Sequence, residues 1–147
     1  MKWHLKTFSD LTTLELYQIL NERNRIFIVE QECPFQDIDD KDQDCYHLFT
    51  EKDGQIIAYL RIVPEGVIYP ELSLGRIIVK KEYRKQGIAR EMIAKAIQFS
   101  IDELHPKKIK LQAQVQAKGL YERFGFKDVS EPYLEDDIPH VDMILEI

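Results

Sequence analysis

At 147 residues with 44% hydrophobic content, the chain suits one domain, residues 1–147, whose core is large enough to fold unaided. A formal net charge of −6 denies it the basic footprint that nonspecific nucleic-acid binding needs. No apolar run approaches the roughly 20 residues that cross a bilayer, and Met1 to Asp10 lacks a signal-peptide core, so a cytoplasmic protein without a membrane partner is expected.

Trp3 to Phe8 alternates as an edge strand does. Thr12-x-x-Glu15 then reads as a capping box opening a long helix, with Leu14, Tyr17, Ile19, Leu20, Phe27 and Ile28 as its apolar residues. The helix is expected to break near Cys33-Pro34, because proline disfavours helix in the residue before it and has no N–H to donate. An acidic loop follows: residues 30 to 45 hold seven acids against Lys41 alone. Asp37-x-Asp39-x-Lys41 departs from a calcium loop at its fifth, sixth and twelfth positions, and Cys33, Cys45 and His47 lack the paired spacing of a zinc site, so no metal is expected. Both cysteines read as free thiols.

Asp53-Gly54 between His47–Lys52 and Gln55–Val63 predicts a hairpin with a type I′ turn, and a third strand covers Ser73–Val79. Lys80, Lys81, Arg84 and Lys85 then make a basic turn. Gly87 to Leu104 shows helical spacing through Ile88, Met92, Ile93, Ala96 and Ile97, until His105-Pro106 stops it. A strand at Ile109–Val115, a short helix and closing strands at Lys127–Val129 and Val141–Ile147 complete the chain, with a loop carrying Pro132, Glu135, Asp136, Asp137 and His140 between the last two. This order predicts a mixed α/β fold, a central mixed sheet of six or seven strands flanked by about four helices.

The run from Leu74 to Arg90, LGRIIVKKEYRKQGIAR, places a β-branched strand, a cationic turn and a helix start in succession. Helix-start N–H groups and side-chain cations thereby converge where a phosphate can bind. The spacing is neither GxxxxGK[ST] nor GxGxxG, which disfavours ATP and NAD sites. Arg84-Lys-Gln-Gly87-Ile-Ala89 does match R/Q-x-x-G-x-G/A, and Ala117-Lys-Gly-Leu-Tyr121-Glu-Arg-Phe-Gly125-Phe126 looks like A-x-x-L-Y-E-x-x-G-F. In these two segments the chain resembles the GNAT-type N-acetyltransferases. Arg25-x-Phe27-x-Val29-Glu30-Gln31-x-Cys33-Pro34 and Glu135-Asp136-Asp137-Ile138-Pro139-His140 further resemble the signatures of the ElaA-like branch. One departure is Asp137, which stands where many members of that branch have glycine.

The resemblance implies acetyl-CoA as cosubstrate, with Arg84, Lys85, Gln86, Gly87, Ile88 and Ala89 around its pyrophosphate. It implies Ile77, Ile78 and Val79 along the pantetheine arm, where a backbone N–H would stabilise the oxyanion. Gln114 takes the place of an orienting asparagine, and Tyr121 occupies the general-acid position, where a phenol keeps its proton at neutral pH. The acceptor would be a primary amine of a small molecule or peptide. Such an amine is mostly protonated near pH 7, so a base must take its proton, and Glu30, Asp40, His47, Asp136 and His140 are the candidates. Histidine is the residue type among them whose ordinary titration range lies nearest neutrality. Glu30 and His140 stand as catalytic candidates, and Asp40, His47 and Asp136 as groups drawing a cationic acceptor to the acidic loops. The alternatives are a noncatalytic acyl-CoA-binding module, which would carry the same cofactor motif, and a purely structural interaction domain. The protein is expected as a monomer or homodimer.

Overall fold

The computed structural model describes residues 1–147 and arranges them around one sheet of eight strands. In chain order these are β1 (Lys2–Thr7), β2 (Tyr46–Lys52), β3 (Gln55–Val63), β4 (Leu72–Val79), β5 (Lys108–Gln114), β6 (Lys127–Asp128), β7 (Tyr133–Glu135) and β8 (Ile138–Glu146). Three helices accompany them, α1 (Thr13–Arg23), α2 (Ile88–Phe99) and α3 (Lys118–Glu122). The order across the sheet is β1-β2-β3-β4-β5-β8-β6, with β7 on the other end of β8. Only β4 and β5 pair in parallel, the crossover between them being α2. No helix is long and apolar enough to cross a membrane.

The capping box forms as its residues require: the Thr12 hydroxyl accepts from the Glu15 amide at 3.0 Å, and the Thr12 amide donates to Glu15 Oε1 at 2.8 Å. The helix begun there continues past Arg23 as a π-helical stretch, Asn24–Glu30. Its inner face differs from the apolar spacing. Leu14 and Tyr17 are exposed, while Ile19, Ile26 and the charged Glu22 and Arg23 are buried. The face is chosen by the partners awaiting Arg23, described below.

Helix α2 follows its sequence closely, burying Ile88, Met92, Ile93 and Ala96. Gly87 caps it at φ 82°, a left-handed value that costs glycine little. A π-helical turn, Ser100–Leu104, carries it to His105, whose own left-handed φ of 50° ends it before Pro106. Helix α2 covers one sheet face over a cluster including Leu60, Ile62, Leu72, Ile109 and Met143; α1 covers the other with Ile19, Ile26, Phe49, Tyr59 and Ile78. After Gln55, every residue of β3 is buried, as befits a strand covered on both sides.

The sheet exceeds the expected six or seven strands because part of the supposed loop before the last strand is itself a hairpin. Tyr133–Glu135 pairs with Ile138–His140 around Asp136 and Asp137, at φ 52° and 63°. Asp53 and Gly54, at φ 53° and 74°, form the same kind of turn between β2 and β3. The second hairpin was hidden because an aspartate holds the position where glycine usually signals such a turn. The α-helices number three instead of about four, since the chain turns between strands through short 3-10 segments.

Candidate active site

Strands β4 and β5 pair only over Leu72–Leu74 and Ile109–Leu111, then separate. Where β3 advances two residues, from Tyr59 to Arg61, β4 advances three, from Ile78 back to Gly75, so β4 carries one extra residue. Arg76 sits in this bulge at φ 52°. The separation opens a cleft of about 560 Å³ in the middle of the sheet. Its walls are Gly75–Val79 from β4, Leu111, Gln112 and Gln114 from β5, Tyr121 from α3 and His140 from β8, with Glu30 and Gln31 above.

Of the candidate site residues, Ile77, Ile78, Val79, Arg84, Gln114, Tyr121, His140 and Glu30 all line this one cleft. Lys85, Gln86, Gly87, Ile88 and Ala89 form the turn and the first residues of α2 next to Arg84. Left-handed residues at Lys85 (φ 64°) and Gly87 shape that turn. Ile88 is buried, so only its backbone is available to a ligand there. The Arg84 guanidinium donates from Nε to the Val79 carbonyl at 2.8 Å and turns its two terminal nitrogens to the Glu30 carboxylate, at 2.7 and 3.1 Å.

Tyr121 is 7% exposed, and burial alone pushes its phenol up to about 12. Its ring meets Phe126 edge-on. His140 Nδ1 lies 2.7 Å from the Ile138 carbonyl. A carbonyl only accepts, so in the neutral ring Nδ1 carries the proton and Nε2 is a bare acceptor. The ring stacks on Tyr133, whose hydroxyl accepts from Gln112 and donates to Asp142.

Three expected acceptor residues lie elsewhere. His47 is 1% exposed and spans the core: Nε2 donates to the Asp42 carbonyl at 2.9 Å and Nδ1 accepts from the Tyr59 hydroxyl at 2.7 Å. Burial lowers its pKa and outweighs the Asp42 carbonyl, which raises it. Asp40 is exposed and bonded to Gln43, and Asp136 occupies the β7–β8 turn, its carbonyl accepting from Cys33 Sγ at 3.5 Å. Cys33 and Cys45 are both free and buried.

Three acids of the loop, Asp37, Asp39 and Asp42, are turned inward to arginines. Arg23, fully buried, binds Asp37 at 2.8 Å and Asp42 at 2.7 Å. Arg61 reaches Asp42 at 2.9 Å and grips Asp39, while Arg76 binds Asp37 at 2.7 Å. Three arginines thus neutralise three aspartates. Burial raises the Asp39 carboxyl, but the bonded Arg61 and nearby Arg76 prevail and hold it at about 2. Asp42 likewise ends below the ordinary carboxylate range, Arg23 and Arg61 overcoming its burial. Sequence reasoning missed Arg61 and Arg76 as cleft residues, although a lone arginine in QIIAYLRIV signals a partner for its charge.

Residues 15–147, which hold the splayed parallel pair, the basic turn leading into the crossover helix and the phenol across the gap, match the acetyltransferase (GNAT) domain family. The chain belongs to that family. Among its relatives is a UPF0039 protein of Schizosaccharomyces pombe, 38% identical over 97% of this chain and 95% of its own length. Protein ElaA of Escherichia coli is 33% identical over 100% of this chain and 97% of its own, and its crystal structure superposes with a TM-score of 0.93 over 99% of both chains. The crystal structure of an acyl-CoA N-acyltransferase from Pseudomonas aeruginosa, 36% identical, gives a TM-score of 0.92 over 98% of this chain and 99% of that one.

Proposed function

We propose that the protein moves an acetyl group from acetyl-CoA to a primary amine of a small molecule or peptide, by direct attack within one complex. The observation that carries this reading is the cleft where β4 leaves β5, because it gathers a basic turn, a stretch of strand open on its β5 side, a buried phenol and an imidazole acceptor on one set of walls. The diphosphate would meet Arg84 and the backbone N–H groups between Lys85 and Ala89, with Gly87 allowing close approach. The pantetheine amides would pair with Ile77–Val79, where the strand lacks a neighbour on its β5 side. Gln114 would orient that arm from the facing strand.

His140 Nε2 receives the proton of the bound ammonium, freeing the nitrogen lone pair to attack the thioester carbonyl. A C–N bond forms, and a β4 backbone N–H steadies the oxyanion. Collapse breaks the C–S bond as Tyr121 delivers a proton to the departing sulfur, and the nitrogen, cationic since its attack, gives up its second proton to restore the phenol, leaving a neutral amide and a free thiol. The phenol suits this role because burial keeps it protonated throughout the neutral range. His47, Asp40 and Asp136 take no part in these steps. The test is to follow free thiol while the protein meets acetyl-CoA and a panel of polyamines, amino acids and peptides. Thiol release requiring both substrates is expected, and calorimetry showing no association with CoA would overturn the reading.

A further inference from the structure

Glu30 is the only acidic side chain on the cleft wall, and it is spent on Arg84. The pair is bidentate, with Oε2 2.7 Å from Nη1 and Oε1 3.1 Å from Nη2. The Val79 carbonyl fixes the guanidinium from behind through Nε, so the fork that would meet a diphosphate is directed at a carboxylate. Glu30 ends a π-helical stretch, and the residues after it make two further ties: Gln31 accepts from Gln114 at 3.4 Å, and Cys33 donates to the Asp136 carbonyl at 3.5 Å. Segment 30–33 therefore touches the turn before α2, the end of β5 and the β7–β8 turn.

We propose that Glu30 is an internal stand-in for the cofactor's diphosphate, and that CoA binds by taking Arg84 from it. This rests on the assignment of CoA to the basic turn. A diphosphate offers Arg84 more negative charge than one carboxylate and adds bonds to backbone N–H groups that Glu30 does not reach. Binding then frees the one carboxylate of the cleft and removes one of the three ties of segment 30–33. A protonated acceptor amine thus finds a negative group on the wall only after the cofactor is seated, which joins the two substrates through one side chain.

Both partners are about one-third exposed, so the exchange costs CoA only a few-fold in affinity. Calorimetric titration of CoA into wild type, Glu30→Gln, Glu32→Gln, Arg84→Gln and the Glu30→Gln/Arg84→Gln double variant tests it. Glu32, exposed and two residues on, controls for loss of charge without loss of the pair. The expected result is CoA binding about two- to fivefold tighter in Glu30→Gln, unchanged within error in Glu32→Gln, and no Glu30 effect once Arg84 is gone. Unchanged or weaker binding in Glu30→Gln overturns the exchange. So does an equal gain in Glu32→Gln, or a gain persisting without Arg84, since either reports general charge. Failure of wild type to bind CoA at all removes the underlying assignment instead, and thermal melts show whether each variant is folded.

Discussion

Tyr121 and His140 both line the cleft, the first a buried phenol that keeps its proton and the second an imidazole whose Nδ1 faces the Ile138 carbonyl. Replacing Tyr121 with phenylalanine keeps the packing against Phe126 and removes only the donor. Turnover should fall by at least about 100-fold while CoA affinity changes less than twofold, read by steady-state kinetics and calorimetry. An unchanged rate removes Tyr121 from the reaction. Tyr121 was legible because its flanking residues carry a motif of their own. His47 misled for the opposite reason: residue type and an acidic neighbourhood mark a base only when the side chain faces a cavity, and this one is enclosed between Asp42 and Tyr59.

Elements whose start and stop residues act locally were readable, as the Thr12–Glu15 box, the Asp53-Gly54 turn and Gly87 before α2 illustrate. Hairpin β7–β8 was not, because Asp137 adopts φ 63° without the residue that advertises it. Asp137→Gly should relieve that conformation and add about 1 kcal/mol, seen as a rise in melting temperature of roughly 2–4 °C. A fall would mean that the Asp137 side chain holds the turn. Gly87→Ala tests the opposite case. Nothing lies within 4 Å of the added carbon, so the loss comes from the backbone, about 1–2 kcal/mol in urea unfolding. The bulge at Arg76 and the parting of β4 from β5 depend on pairings between distant segments, which local spacing does not encode.

Across the whole molecule, the acidic loop is fastened to the sheet by the Arg23, Arg61 and Arg76 network. Counting charges along the chain suggested a lure for cations, because seven acids lie together while the arginines that bind three of them are dispersed over α1, β3 and β4. Asp42→Asn should cost about 3–5 kcal/mol at pH 7, since it strips a buried partner from both Arg23 and Arg61; a urea midpoint close to wild type would contradict this. The pH response follows from the same groups. His47 has a lowered pKa in the folded state, so its contribution is complete above about pH 6.5 and declines on acidification. Asp39, held at about 2 when folded, and Asp42 contribute fully above about pH 4 and lose their part as the pH falls towards 2. Melting temperature should accordingly be level between about pH 7 and 8, decline gently below 6.5 and drop steeply below 4, and fall again above about pH 9, where burial holds the Cys45 thiol and Tyr121 phenol protonated in the folded state alone. A rise between pH 7 and 5 would refute this.

The parting of β4 from β5 also leaves main-chain amides in mid-sheet with no strand opposite them on one side. In deuterated buffer those of Gly75–Val79 directed into the gap should trade their protons faster than the amides of β3. Such a fast patch, framed by slow neighbours on every side, would mark where an extended guest is missing from the ladder, and its slowing on addition of CoA would trace that guest residue by residue.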